Sequence, residues 1–262
     1  MIRVGIGGWT YEPWRGLFYP DKLPKIKELP HASRRVTSIE VNGTFYSTFT
    51  PSTFRRWAEE TPDDFIFSLK APRFAVNRRV LAGAGPSIEK FLASGVAELK
   101  SKLGSILWQL APTKKYDPED IAAFLELLPK KISGLKLRHA LEVRNESFRS
   151  AQFVAQVRKA GVAVVLADSQ KYPMIADLSS DFVYVRLQDA KADVETGYSA
   201  KALGTWATLA KAWESGEEPE KFPLAAPRGK PLKSRDVFIY FINGAKERAP
   251  AAAETLIKRL KK

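Results

Sequence analysis

Cysteine is absent from the 262 residues, and histidine occurs only twice, as His31 and His139. The first absence excludes disulfides, thiolate metal sites and a cysteine nucleophile. The second leaves too few imidazoles for a multi-histidine zinc site. No apolar run approaches the roughly 18 residues of a membrane helix. The opening stretch MIRVGIGGWTYEPW has no apolar h-region of the signal-peptide kind. The expectation is a soluble, cytoplasmic protein with no membrane partner. Asn and Gln are also sparse, a composition compatible with a thermophilic source.

Acidic residues are outnumbered, 29 against 42 basic ones, which leaves a net charge of +13. A basic protein of this kind attracts polyanions through counterion release. The basic residues are scattered as pairs, such as Arg34-Arg35, Arg55-Arg56, Arg78-Arg79, Lys114-Lys115 and Lys130-Lys131, and cluster densely only in the KRLKK tail. General surface solvation accounts for such scatter as readily as a nucleic-acid surface does.

What is present is an alternation. Eight β-rich runs, Arg3–Gly7, Thr37–Val41, Phe65–Lys70, Ile106–Leu110, Ala140–Arg144, Ala163–Ala167, Phe182–Leu187 and Val237–Ile242, are separated by amphipathic stretches. The stretches lie near Leu23–Arg34, Pro51–Glu60, Ser87–Leu103, Pro118–Leu128, Ser150–Ala160 and Ala200–Glu214, with a last helix over Ala249–Lys262. Ser169–Asp181 is too short for more than a turn or two. Strand–helix alternation implies parallel strands, and eight units fit an α/β fold of the (β/α)8 TIM-barrel type, one domain over 1–262. The rival, a doubly wound sheet, lacks its glycine-rich dinucleotide fingerprint, and no cofactor motif is read. Two long loops are expected: Ala71–Pro86, and Gly216–Asp236 as an excursion at the bottom of the barrel.

Side chains of a barrel strand alternate between the interior and the helices. Ile39 and Val41 suit the helices, which turns Glu40 and Asn42 inward. The same parity turns Lys70, Gln109, Glu142, Arg144, Tyr184 and Arg186 inward. These polar residues fall late in their strands, at the carboxyl-end mouth where barrel active sites lie. Asp168 and Asn243, at the ends of the sixth and eighth runs, are candidates for the same rim. A purely structural reading pairs Glu40 with Lys70, and Glu142 with Arg144 or Arg186. The functional reading is a ligand site that also uses these pairs.

Aromatics crowd the first two βα loops: Trp9, Tyr11, Trp14, Phe18 and Tyr19, then Phe45, Tyr46 and Phe49. Most are expected to anchor the loops, with Trp9 and Tyr46 left as candidates to face a ligand.

The segments GWTYEPWRGLFYP, SIEVNGTFY, FSLKAPR, LWQLAP, LEVRNESF, VLADS, VYVRL and YFIN resemble, in order and over nearly the whole chain, the YecE-like family. The resemblance implies a TIM-barrel-like fold distantly similar to xylose-isomerase and endonuclease IV barrels, and it carries no assigned activity. It maps the family's recurring polar positions onto Glu40, Asn42, Lys70, Gln109, Glu142, Arg144, Asp168, Arg186 and Asn243. Two departures stand out. Asn145-Glu146-Ser147-Phe148 replaces a His-Pro-Ser-Trp run, and Arg186-Leu187-Gln188-Asp189 replaces Arg-Leu-His-Gly.

Several chemistries can be set against these residues. Glu40, Glu142 and Asp168 have the oxygen donors for a hard cation, but Lys70 and Arg144 beside them already compensate the carboxylates, so no metal is expected. Glu40 and Glu142 are the acid–base candidates, joined by Lys70 as a third catalytic candidate through Schiff-base chemistry. A carbohydrate-active hydrolase would use the two glutamates on either side of a scissile bond. The reading carried forward is a mouth that binds a polar, phosphate-bearing partner, either a nucleotide-like small molecule or a nucleic acid. In it Lys70, Arg144 and Arg186 are anion contacts, and Trp9, Asn42, Tyr46, Gln109, Asp168 and Asn243 are further ligand residues. A non-enzymatic interaction scaffold is the remaining alternative.

Overall fold

The computed structural model describes residues 1–261. Eight parallel strands close into a barrel: β1 (Ile2–Gly7), β2 (Ser38–Val41), β3 (Ile66–Lys70), β4 (Leu103–Gln109), β5 (Arg138–Glu142), β6 (Ala163–Asp168), β7 (Phe182–Leu187) and β8 (Asp236–Phe241). Each pairs with its neighbour in the chain, and β8 closes on β1 through the register Ile2↔Val237 to Ile6↔Phe241. At Gly5 the closure depends on glycine, because a Cβ there would lie 2.0 Å from the Ser38 carbonyl oxygen.

Helices Pro51–Glu60, Gly85–Ala93, Pro118–Glu126, Ala151–Ala160, Ala200–Glu214 and Ala249–Leu260 cover the outside. Three begin on a side-chain cap: Asp117, Ser150 and Ser199 each accept a backbone N–H of the first turn. The apolar shell between strands and helices is built from one strand parity, including Ile39, Leu69, Trp108, Leu141, Val185 and Ile239.

The other parity fills the interior in tiers. At the amino end, Phe182 and Phe238 pack together under Arg138. Further along the strands comes a hydroxyl tier. Tyr240 Oη bonds to Ser38 Oγ and Ser68 Oγ at 2.7 Å each, and Ser68 reaches Ser105 at 2.9 Å. Glu40, Lys70, Gln109, Glu142 and Arg186 form the last tier, at the carboxyl mouth.

Two expected helices are broken. Leu23–Arg34 resolves into a 3-10 turn, Lys25–Lys27, and a short helix, Glu28–Ala32, since Pro24 and Pro30 each lack an N–H to donate. Ser87–Leu103 ends at Ala93 because Gly95 takes φ +111, and a Cβ there would meet Pro51 Cα at 2.5 Å. The chain continues as 3-10 turns over Val96–Lys102, and β4 begins at Leu103, earlier than the run starting at Ile106. Ser169–Asp181 carries no helix, and residues 216–235 carry neither helix nor strand. The last helix stops at Leu260, and Lys262 lies outside the described residues. Among the described residues no helix is long and apolar enough to cross a membrane.

Candidate functional site

Arg186, on β7, is the centre of the mouth floor. Its Nε and Nη2 donate to Glu40 Oε2 and Oε1 at 3.0 and 2.9 Å, a bidentate pair, and its Nη1 donates to Glu142 Oε2. All three side chains are buried. Burial of a guanidinium and two carboxylates is tolerable only when the remaining lone pairs are also occupied. They are occupied here. Tyr184 Oη donates to Glu40 Oε2 at 2.8 Å, Gln109 Nε2 to Glu142 Oε2 at 2.8 Å, and Arg144 Nε to Glu142 Oε1 at 2.9 Å. Burial alone would raise the Glu142 carboxyl, but Arg186 and Arg144 outweigh it and hold its pKa down at about 2. Burial likewise opposes the charge on Arg186, and the carboxylates of Glu142 and Glu40 more than restore it, so its pKa is raised.

This arrangement corrects three expectations. Glu40 pairs with Arg186, and Lys70 takes no part in the ion pair. Arg186 is a structural cation buried between two carboxylates and not a free anion contact. The two glutamates do not flank space for a scissile bond, because the guanidinium bridges them, and a carboxyl held as low as Glu142 is a poor general acid at neutral pH.

Lys70, at the end of β3, is the contrasting group. It is 7% exposed, and its Nζ lies 4.1 Å from the centroid of the Phe45 ring. Among the described residues its ammonium has neither a carboxylate partner nor a hydrogen-bond acceptor. Burial and repulsion from Arg186, assisted by Arg144, pull its pKa down to about 8, while the attraction of Glu40 and Glu142 offsets only part of this.

The remaining candidates divide. Arg144, in the loop after β5, keeps part of its guanidinium in solvent and stacks on the Tyr172 ring, 4.3 Å from the centroid. Asn42 follows β2 and donates from Nδ2 to the Glu40 carbonyl at 3.3 Å. Asn243, after β8, is exposed and reaches Gln188 Oε1 at 3.5 Å. Tyr46 is exposed, and its ring packs edgewise on Phe45, the ring that carries Lys70. Trp9 sits elsewhere: it packs on Trp57 and Phe67, in the layer between strands and helices, so it anchors its loop. Asp168 shares the helix-facing parity of Val164 and Leu166. Burial and the neighbouring Asp189 raise its pKa, with Lys191 opposing.

Two residues at the mouth escaped the sequence reading. Tyr172 lies in a loop with no periodicity to place it. Gln188 extends the inward parity of Tyr184 and Arg186 by one step, and its Nε2 is buried with no partner. That parity was the available signal for Gln188. The two histidines are used in packing. His139 accepts from Trp108 Nε1 at Nδ1, 3.0 Å away, and its Nε2 lies 2.8 Å from the Pro129 carbonyl. His31 packs against Phe18 and Tyr19.

Comparison with known proteins fits this picture. The solved structure of a DUF72 family protein from Thermotoga maritima MSB8 superposes with a TM-score of 0.76 at 20% identity, covering 100% of both chains, a likeness of fold. The UPF0759 protein YecE of Escherichia coli (strain K12) is 29% identical over 143 residues, 53% of this chain and 49% of that protein. The UPF0759 protein YunF of Bacillus subtilis (strain 168) is 28% identical over 163 residues, 60% of this chain and 55% of that protein. The chain thus spans about half the length of the curated relatives it matches. The profile of one family, described as "Protein of unknown function DUF72", matches residues 3–262, and the chain belongs to that family.

Proposed function

We propose that the barrel mouth binds an anionic ligand, phosphate-bearing in the simplest case, with the Lys70 ammonium as its direct charge contact. Arg144 supplies a second cation at the rim. Arg186 supports the floor from below by fixing Glu40 and Glu142. Gln188, Asn42 and Asn243 offer side-chain amides to orient the rest of the ligand, and Tyr46 offers an exposed ring beside them.

The observation that carries this reading is the unpartnered Lys70 ammonium. Three cations, Lys70, Arg144 and Arg186, face two carboxylates, Glu40 and Glu142. Both carboxylates are engaged by the arginines, Tyr184 and Gln109, which leaves one positive charge in excess on a largely buried side chain. A buried cation without a counter-charge is costly, and an anion seated against it recovers that cost. The same logic applies to the buried Gln188 Nε2, a donor without an acceptor.

Calorimetric titration tests the proposal with inorganic phosphate, a nucleoside monophosphate and a neutral disaccharide, against the wild type and Lys70→Gln. The two phosphates bind the wild type, lose at least about tenfold in affinity with Lys70→Gln, and the sugar does not bind. Equal binding by the two proteins, or preferential binding of the sugar, overturns the reading.

A further inference from the structure

The carboxyl face carries a second basic feature, outside the mouth. A groove of about 800 Å³ runs between the loop after β3 and the loop after β4, lined in part by Asn77, Arg78, Arg79, Lys114, Lys115 and Tyr116. These loops leave the same two strands that deliver Lys70 and Gln109 to the mouth, so groove and mouth share one face of the barrel.

The groove is a built structure. Arg78 is fixed by three hydrogen bonds, from Nε to the Phe74 carbonyl at 2.7 Å, from Nη1 to the Gly83 carbonyl at 3.1 Å and from Nη2 to Ser87 Oγ at 2.6 Å. Lys114 ties the two walls together: its Nζ donates to Asp120 and to the Arg79 carbonyl at 2.7 Å. Asp120 in turn accepts the Ala82 N–H at 2.9 Å. Asp117, the acidic residue of the lining, is turned onto the backbone N–H groups of Glu119 and Asp120 as a helix cap. Arg79 and Lys115 remain exposed, and among the described residues neither side chain has an ion-pair partner. The fixed walls therefore present two uncommitted cations, backed by a third, Arg78, whose charge is not neutralised.

The geometry points to a second phosphate subsite in this groove, so that the mouth and groove together bind a single-stranded nucleic acid, one phosphate group against Lys70 and the continuing backbone along Arg79 and Lys115. This rests on the anion reading of the mouth and specifies its ligand. A mononucleotide needs only the mouth. A polyphosphodiester chain is the ligand class that offers further phosphates at a regular spacing for a groove beside it. The exposed Phe74, whose carbonyl accepts from the groove residue Arg78, and the exposed Tyr46 are available for base stacking, which is tolerant of sequence. The net charge of +13 favours the encounter.

The test uses fluorescence anisotropy with a labelled single-stranded oligonucleotide, DNA and RNA in separate arms, over a series of salt concentrations. The variants are Arg79→Ala/Lys115→Ala and, as a charge-matched control, Lys211→Ala/Lys258→Ala. The control residues line a different basic groove, between the helices Ala200–Glu214 and Ala249–Leu260 on the outside of the barrel. All four side chains are on the surface, and removing them leaves the core untouched. The expected result is salt-dependent binding by the wild type and the control. For Arg79→Ala/Lys115→Ala, the slope of log affinity against log salt is expected to be shallower by about 0.7 per phosphate contact removed. Mononucleotide affinity stays unchanged in that variant, because the mouth is intact. No binding of either oligonucleotide at low salt overturns the inference, as does an equal loss in the control, which would show only general charge. If mononucleotide binding also fails in the wild type, the mouth reading falls with it; if it persists, only the groove assignment falls.

Discussion

Arg186 and Lys70 face the same barrel mouth from opposite walls, and their surroundings could hardly differ more. Arg186 has two carboxylates arranged around its guanidinium, and those carboxylates are further held by Tyr184, Gln109 and Arg144. Lys70 has an aromatic face and, among the described residues, no acceptor. The difference teaches which charge the fold needs and which it tolerates. A cation completing a buried network is part of the structure, while a cation left unneutralised at the carboxyl end of a barrel strand is available to a ligand.

Removing each in turn gives the largest contrast. Arg186→Leu strands two buried carboxylates and is expected to cost about 3–5 kcal/mol in denaturant unfolding. Lys70→Met removes an unpaired buried charge and keeps the stem's volume, so it leaves stability unchanged or raised while abolishing anion binding. A strongly destabilised Lys70→Met would erase the distinction.

The second test is the pH dependence of stability. Lys70 is held at about 8 in the folded protein, below its ordinary value of 10.5. Between these values the unfolded chain binds more protons than the native one, so Lys70 makes stability rise with pH across that window. Below about 8 the cost of burying the charge is constant. Subtracting the unfolding free energies of Lys70→Met from those of the wild type across pH 7–11 isolates this rise; a flat difference contradicts the assignment. Glu142 gives a rise of the same sign in an acid window, but as a stabilising charge gained where Lys70 gives a destabilising charge lost. Its pKa is lowered from 4.5 to about 2, so its contribution is complete above pH 4.5 and lost as pH falls through that interval. In Glu142→Gln this part of the acid sensitivity disappears.

The smallest effect lies one tier down. Tyr240→Phe removes the hydroxyl shared by Ser38 and Ser68, and it is expected to cost about 1 kcal/mol without altering ligand affinity. A change in affinity would mean that the hydroxyl tier and the mouth act as one unit.

The barrel was legible because period-two parity and strand–helix alternation are local properties of the chain. The inward facing of Glu40, Lys70, Gln109, Glu142 and Arg186 followed from the same parity. Their partners did not. Whether Glu40 meets Lys70 or Arg186 depends on how the strands stagger around the closed barrel and on side-chain reach across it, and neither is encoded in spacing along one strand. Asp168 ends β6 as its late position suggested, with the helix-facing parity that Val164 and Leu166 share. Trp9 was drawn away from the mouth by Trp57, a contact across the layer that no local pattern announces. Gln188 was within reach of the parity argument, one step past Arg186.

The central claim is that an anion binds against the Lys70 ammonium, and proton linkage tests it most directly. Sulfate does not titrate near neutrality, so any proton change on its binding belongs to the protein. Calorimetric titration of sulfate at pH 8 in two buffers of different ionisation enthalpy is predicted to show net proton uptake, because the bound anion raises a pKa that starts at about 8. Lys70→Gln is predicted to show none. Sulfate binding to the wild type with no proton uptake, or with uptake that persists in Lys70→Gln, would contradict the account.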